Sequence, residues 1–198
     1  LKSGATASIG ATAESGSLTA VGSGSLVPLY VYNNANNLTL NSRIINTLQG
    51  GSVQLVLAGP SNVPITLASG SNSYSGGTVV DGASLILAAT GRLPAGGVVL
   101  YGGSLSQTAG AVIDATNTAT LVGSANLALA PSINNTLAGL VFNNLGGTTT
   151  PIVSTGGILT LNGGITATSS NLGTLSTING TLSFGSANQT LNIGPVLV

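Results

Sequence analysis

Cysteine, histidine, methionine and tryptophan are missing from this sequence altogether. Without cysteine there is no disulfide and no thiolate metal site, and without histidine there is no imidazole base for a Ser-His triad. Charge is nearly as scarce. Lys2, Arg43 and Arg92 stand against Glu14, Asp81 and Asp114, 3% of the chain with a net charge of zero, where a soluble domain usually carries about 25%. Three basic residues cannot supply the field that nucleic acid or an anionic membrane surface requires. Long apolar runs are absent as well: nothing approaches the roughly 18 consecutive residues of a membrane-spanning helix. Six aromatic residues (four Tyr, two Phe) are too few for the girdles of a membrane barrel. No nucleic-acid partner and no membrane insertion are expected.

What is present is small, polar and aliphatic. Gly (30), Ser (24), Thr (24) and Asn (19) make up about half of the 198 residues, and Leu supplies another 28. Such a composition suggests disorder until hydropathy is weighed. The mean hydropathy is +0.53, whereas disordered chains combine low hydrophobicity with high charge. Without an initiating Met or a recognisable leader, the chain reads as a processed or excised piece of a longer protein.

No stretch of about a dozen residues carries helical apolar spacing free of Gly, Pro or a Ser/Thr/Asn cluster. A short alternating unit recurs instead: Leu38–Leu40, Val53–Leu57, Ile65–Leu67, Leu85–Leu87, Val98–Leu100, Leu127–Leu129, Leu159–Leu161, Leu182–Phe184 and Leu191–Ile193. In Leu-Thr-Leu both Leu side chains leave one face of a strand and Thr the other. Turn-formers separate the units: Gly50-Gly51, Gly76-Gly77, Asp81-Gly82, Gly96-Gly97, Gly102-Gly103, Gly156-Gly157, Asn162-Gly163 and Asn179-Gly180. Many short strands with such corners fit a β-sandwich or a β-solenoid. The shortage of aromatics favours the solenoid, whose narrow core takes stacked Leu, Ile, Val and Ala. Its exterior is expected to carry Thr, Ser and Asn ladders. The hairpin-like Asn-Gly pairs speak for the sandwich.

The chain also repeats itself. Leu38–Thr47 aligns with Leu159–Thr168, six of ten positions being identical at an offset of 121. Upstream, Val31-Tyr32-Asn33-Asn34 matches Val141-Phe142-Asn143-Asn144 at an offset of 110, which implies a longer connection around Gly146 to Thr155. Residues 1–198 are therefore expected to form a single solenoid segment of a longer array or fibre, with 31–47 and 141–168 as a partial internal repeat. At about 20–25 residues per coil it would have eight or nine coils and be about 40 Å long.

Ser71-Asn72-Ser73-Tyr74-Ser75-Gly76-Gly77-Thr78-Val79-Val80-Asp81-Gly82-Ala83-Ser84-Leu85-Ile86-Leu87 resembles the autotransporter-associated β-strand repeat. Asp81-Gly82-Ala83 departs slightly from that family's order at the turn. Gly91-Arg92-Leu93-Pro94 and Val98 to Ser106 look like its next coil, and Leu140 to Thr166 is similar to sequence between its copies. The resemblance implies an all-β, right-handed parallel β-helix in the passenger of a large bacterial surface protein, without catalytic residues. It places the chain outside the cell, secreted or on the cell surface. Physically, Tyr74 is expected to cover a coil corner, and Gly76-Gly77 to supply backbone angles closed to larger residues.

Enzymatic alternatives fare poorly on the residues. A glycosidase needs two carboxylates about 5–10 Å apart, and only Glu14, Asp81 and Asp114 exist. A lyase needs a base beside charged sugar contacts, and Arg43 and Arg92 lie in separate segments. Serines lack a base partner. Gly76-Gly77 through Asp81 lacks the Gly-Gly-x-Gly-x-Asp spacing of a calcium-binding repeat. Glycosylation tripeptides at Asn37, Asn134, Asn179 and Asn188 are expected by chance in such a composition. Lys2 could enter an isopeptide bond, but nothing selects its partner.

The expectation is thus a non-catalytic structural segment (stalk, filament or sheath) with no catalytic, cofactor-binding or metal-ligating residues. Its partners would be flanking repeats or copies of itself, since near-zero charge promotes association and neither end reads as a polar cap. Strand donation by Pro195-Val196-Leu197-Val198 is one route. An adhesin contacting surface glycans is the alternative, and a polysaccharide-active β-helix comes third.

Overall fold

The computed structural model describes residues 6–34, 36–144, 149–171, 173–185 and 189–194. Lys2, Asn188 and the Pro195–Val198 segment lie outside them. Among the described residues every regular element is a β-strand and none is a helix.

The strands come in eight successive coils. The first holds β1 (Ala7–Ile9), β2 (Ser17–Leu18) and β3 (Leu26–Tyr32), and the second β4 (Leu38–Leu40), β5 (Arg43–Ile44) and β6 (Ser52–Ala58). The third has only two, β7 (Ile65–Leu67) and β8 (Thr78–Asp81). The fourth has β9 (Ser84–Leu87), β10 (Arg92–Leu93) and β11 (Val98–Tyr101), and the fifth β12 (Ser104–Gln107), β13 (Val112–Ile113) and β14 (Thr118–Val122). The sixth has β15 (Asn126–Ala128), β16 (Asn135–Leu137) and β17 (Gly139–Asn144). In the seventh, β18 (Ile152–Leu161) precedes β19 (Ile165–Ser169); in the eighth, β20 (Thr177–Phe184) precedes β21 (Leu191–Ile193).

Every pairing between these strands is parallel. The first face runs β1-β4-β7-β9-β12-β15-β18-β20 and the third β3-β6-β8-β11-β14-β17-β19-β21. Between them lies a second face of short pairs, β2-β5 and β10-β13, joined further on by β16 with the later halves of β18 and β20. The chain is a parallel β-solenoid of about seven turns. Seven steps at about 4.8 Å make about 34 Å from first strand to last, slightly less than the sequence estimate. Coil length varies. Leu85 lies beside Ile65 and Leu105, 20 residues away on either side, but Ala7 pairs Leu38 across 31 residues and Asn126 pairs Ile152 across 26.

Alternation fills the interior. On the first face Leu38, Ile65, Leu85, Leu105, Leu127 and Val153 stack in one inward row, and Leu40, Leu67 and Leu87 in a second. On the third face Leu57, Val80, Leu100, Leu121 and Phe142 do the same. All are buried except Leu38, which is half-buried. At about 25 cal/mol per Å2 such rows are the main stabilising term, and each row depends on its neighbours above and below.

The Asn-Gly pairs do not make hairpins. Asn162-Gly163 turns the chain from β18 to β19, and Asn179-Gly180 lies inside β20. Gly156-Gly157 likewise lies inside β18, where the strand passes from first face to second and its register with β20 shifts between Ser154 and Ile158. The sequence repeat is also distinct from the structural period. Stacking places Val31 in line with Phe142, one residue from the sequence match, and a one-residue slip reverses faces: Tyr32 is exposed and Phe142 buried. Leu38–Leu40 lies on the first face and Leu159–Leu161 on the second.

Candidate functional site

The most chemically varied surface is the second face where it crosses the third coil. No strand forms there. Ser69 to Ser75 run irregularly, because the stretch has no aliphatic pair at alternating positions to turn inward. Asn72 fills the gap in the ladder. Its Oδ1 accepts from the Ile44 N–H (2.8 Å), and its Nδ2 donates to the carbonyls of Arg92 (3.0 Å) and Ser69 (2.9 Å). One buried amide thus joins the second coil to the fourth, with the hydrogen-bonding capacity of a peptide unit. A second interruption, between the fifth and sixth coils, is closed similarly. Gln107 Nε2 donates to Asn135 Oδ1 and to the Ala111 carbonyl, and Gln107 Oε1 accepts from the Ala130 N–H.

Tyr74 belongs inside this gap. The sequence suggested a residue covering a corner, but its side chain is 1% exposed and part of the core. Its hydroxyl pairs with Thr78 Oγ1 at 2.7 Å. The irregular segment offers no Leu or Ile to the interior, and the ring occupies that volume. Thr78 is the polar member of an otherwise apolar inward row, Leu29-Leu55-Thr78-Val98-Ala119-Leu140. Burial pushes the Tyr74 phenol far above its ordinary range, offset in part by the Thr78 hydrogen bond.

Of the expected Gly76-Gly77 pair, only Gly77 has a left-handed backbone, with φ of 83°. Gly76 is required by proximity, since a Cβ there would meet the Val53 carbonyl oxygen at 2.6 Å.

Above Asn72 lies a shallow groove of about 380 Å3, bordered by Gly70, Ser71, Ser73, Ser75, Arg92 and Asp114. Arg92 makes an ion pair with Asp114 at 3.0 Å. Asp114 is held below the usual carboxylate range by the Thr116 hydroxyl and N–H, with Arg92 contributing less. Glu14, from the first coil, accepts from the N–H groups of Gly70 and Ser71 and from Ser69 Oγ. Burial pulls the Glu14 pKa upward, but these hydrogen bonds outweigh it and hold the carboxyl below its ordinary value. Arg43, on β5 of the same face, donates to Ser17 Oγ at 2.7 Å.

Glu14 bonds two backbone N–H groups and a hydroxyl of the third coil, Asp114 accepts from Thr116 within its own turn, and the Arg92–Asp114 pair neutralises itself. Asp81 is elsewhere, at the end of β8 on the third face beside Tyr101. Among the described residues no three His, Cys, Asp or Glu side chains gather closely enough to hold a metal ion. Ser75 Oγ bonds to Ser52 Oγ and to Asn46 Nδ2, neither of which is a base. Asn37, Asn134 and Asn179 are all exposed, and Asn134 Oδ1 accepts from the Ile158 N–H.

The sequence missed the bridging amides of Asn72 and Gln107. The available signal was negative: a gap in apolar alternation with an Asn at its centre, and a Gln where a stacked Leu row predicts another Leu. Comparison with protein families, with curated proteins and with solved structures returned no match.

Proposed function

We propose that the chain is a non-catalytic structural segment of an extracellular surface protein or fibre, acting as a rigid spacer. The observation that carries this reading is the unbroken parallel ladder along the first and third faces, each eight strands deep. A ladder of that kind fixes the distance between whatever adjoins its two ends. It is reinforced, where the second face is interrupted, by side-chain amides that bond backbone groups of neighbouring coils. The likeness of Ser71–Leu87 to the autotransporter-associated repeat supports a surface passenger as the parent.

Electron microscopy of the native material tests the proposal. Rods of uniform width, with this segment at a constant position along them, are the expected result. Compact particles with no elongated element containing the segment would overturn it.

A further inference from the structure

The three outer surfaces of the solenoid differ in chemistry. The first face presents Thr39, Thr66, Ile86, Ser106, Ala128 and Ser154 outward, mostly polar. The second carries Arg43, Arg92 and Asp114 and receives Glu14. The third does not have the Ser/Thr/Asn exterior expected from composition. Its central outward row is Tyr30-Val56-Val79-Val99-Thr120-Val141-Thr166, and the next is Tyr32-Ala58-Asp81-Tyr101-Val122-Asn143-Thr168. Three of the four tyrosines in the chain stand on this face, 72%, 69% and 49% exposed for Tyr30, Tyr32 and Tyr101. The cause is that β8, β11 and β17 carry Val-Val or Leu-Val pairs, so an aliphatic side chain points outward as well as inward.

We infer that the third face is a lateral docking surface for a second copy of this chain, packed sheet against sheet. Three observations select that occupant. The first is period: the rows advance by one strand spacing, about 4.8 Å, so a second copy presents ridges and grooves of the same repeat, and side chains of facing sheets can interdigitate. The second is charge: Asp81 is the one ionisable carboxylate or base in the two rows, and it sits exposed at a strand end, so two copies meet without burying like charge. The third is area. Seven strands at about 4.8 Å by two outward residues at about 6.6 Å give roughly 450 Å2 per copy, and tyrosine relief brings the pair to about 1,000 Å2. That is the lower end of a specific interface, so the dimer is weak, anchored by tyrosines of the kind that dominate such contacts. A glycan would need hydrogen-bonding groups between its stacking rings, and the Val56-Val79-Val99 row offers none. The pairing uses only the third face and holds whether or not the chain stands in a stalk.

Sedimentation equilibrium of the whole chain tests this, with far-ultraviolet circular dichroism as the folding control. Expected is a monomer–dimer equilibrium below about 1 mM, weakened about tenfold or more by Val99→Lys and by Tyr101→Ser, and unchanged by Thr66→Lys on the first face. Tyr101→Ser keeps the test valid if Val99→Lys fails to fold. A wild-type chain that stays monomeric to about 1 mM overturns the inference. Tyrosine fluorescence of that monomer changing with cello- or chito-oligosaccharides would assign the face to glycans instead. Association that persists in both folded variants also overturns it, and locates the contact at the strand edges.

Discussion

Glu14 in the first coil accepts a hydrogen bond from the backbone N–H of Gly70 in the third, at 2.7 Å, passing over the second coil between them. Coils in a solenoid normally touch only their immediate neighbours, so this carboxylate couples two that would otherwise be independent. Glu14→Gln keeps the size but removes the charge and one acceptor. The expected loss is about 1 kcal/mol, discounted for the exposure of the side chain. The folded pKa lies below the unfolded value, so this stability is present above the unfolded pKa and disappears as pH falls through the folded one. Thermal melts between neutral pH and about pH 3 should show wild type and Glu14→Gln converging in acid. Curves separated equally at every pH would refute the role of the charge.

Asn72→Ala should be much more damaging. It leaves the Ile44 N–H and the Arg92 carbonyl without this partner in a closed environment. Urea unfolding should show a loss of about 2–4 kcal/mol. Asn72→Asp can still accept from Ile44 but cannot donate to Arg92, so it should not restore wild-type stability at neutral pH.

Tyr74→Phe retains the ring and loses the 2.7 Å bond to Thr78, for an expected cost of about 1 kcal/mol. Tyr74→Ala empties the core beneath the irregular segment and should cost about 3–5 kcal/mol. The raised phenol pKa has a defined sign: the unfolded chain ionises first, so stability falls as pH rises above the ordinary tyrosine range. Alkaline titration followed by absorbance should show the Tyr74 phenolate appearing together with unfolding, and Tyr74→Phe should lose that linked step.

Two glycines of similar backbone conformation should respond differently to alanine. Gly77 and Gly123 have φ of 83° and 65°, so both substitutions strain the backbone by about 1 kcal/mol. A Cβ at Gly123 meets nothing within 4 Å, whereas at Gly77 it runs into the Gly96 carbonyl. Gly77→Ala should therefore be the more destabilising by chemical denaturation, and equal losses would contradict the close approach.

Much of the architecture was legible because alternation is a local property. Each of the nine short apolar units read from the sequence falls on a strand, Leu129 alone lying just past the end of β15. Twelve of the 21 described strands lie outside those units; among them β3, β14 and β19 escape because Pro28, Ala119 and Ala167 interrupt the Leu-x-Leu signature. The outside was misjudged for a related reason: composition counts Thr and Ser without saying which surface they occupy, and they gather on the first face rather than the third. The inward placement of Tyr74 was not read because it depends on its own segment, Ser69 to Ser75, forming no strand and leaving interior volume for the ring. Between coils, Asn72 and Glu14 act across 20 to 57 residues, and no local pattern records such partners.

The backbone hydrogen bonds between coils run along the rod, which determines how it yields under load. Tension applied at the chain termini opens these bonds one coil after another, as a zipper opens, rather than shearing many together. Each central coil, 20 residues by the Leu85–Leu105 step, would release about 70 Å of extended chain for one strand spacing of folded length. A solenoid pulled this way gives way in short, repeated slips, and lengthens by more than tenfold per coil before any covalent bond is loaded.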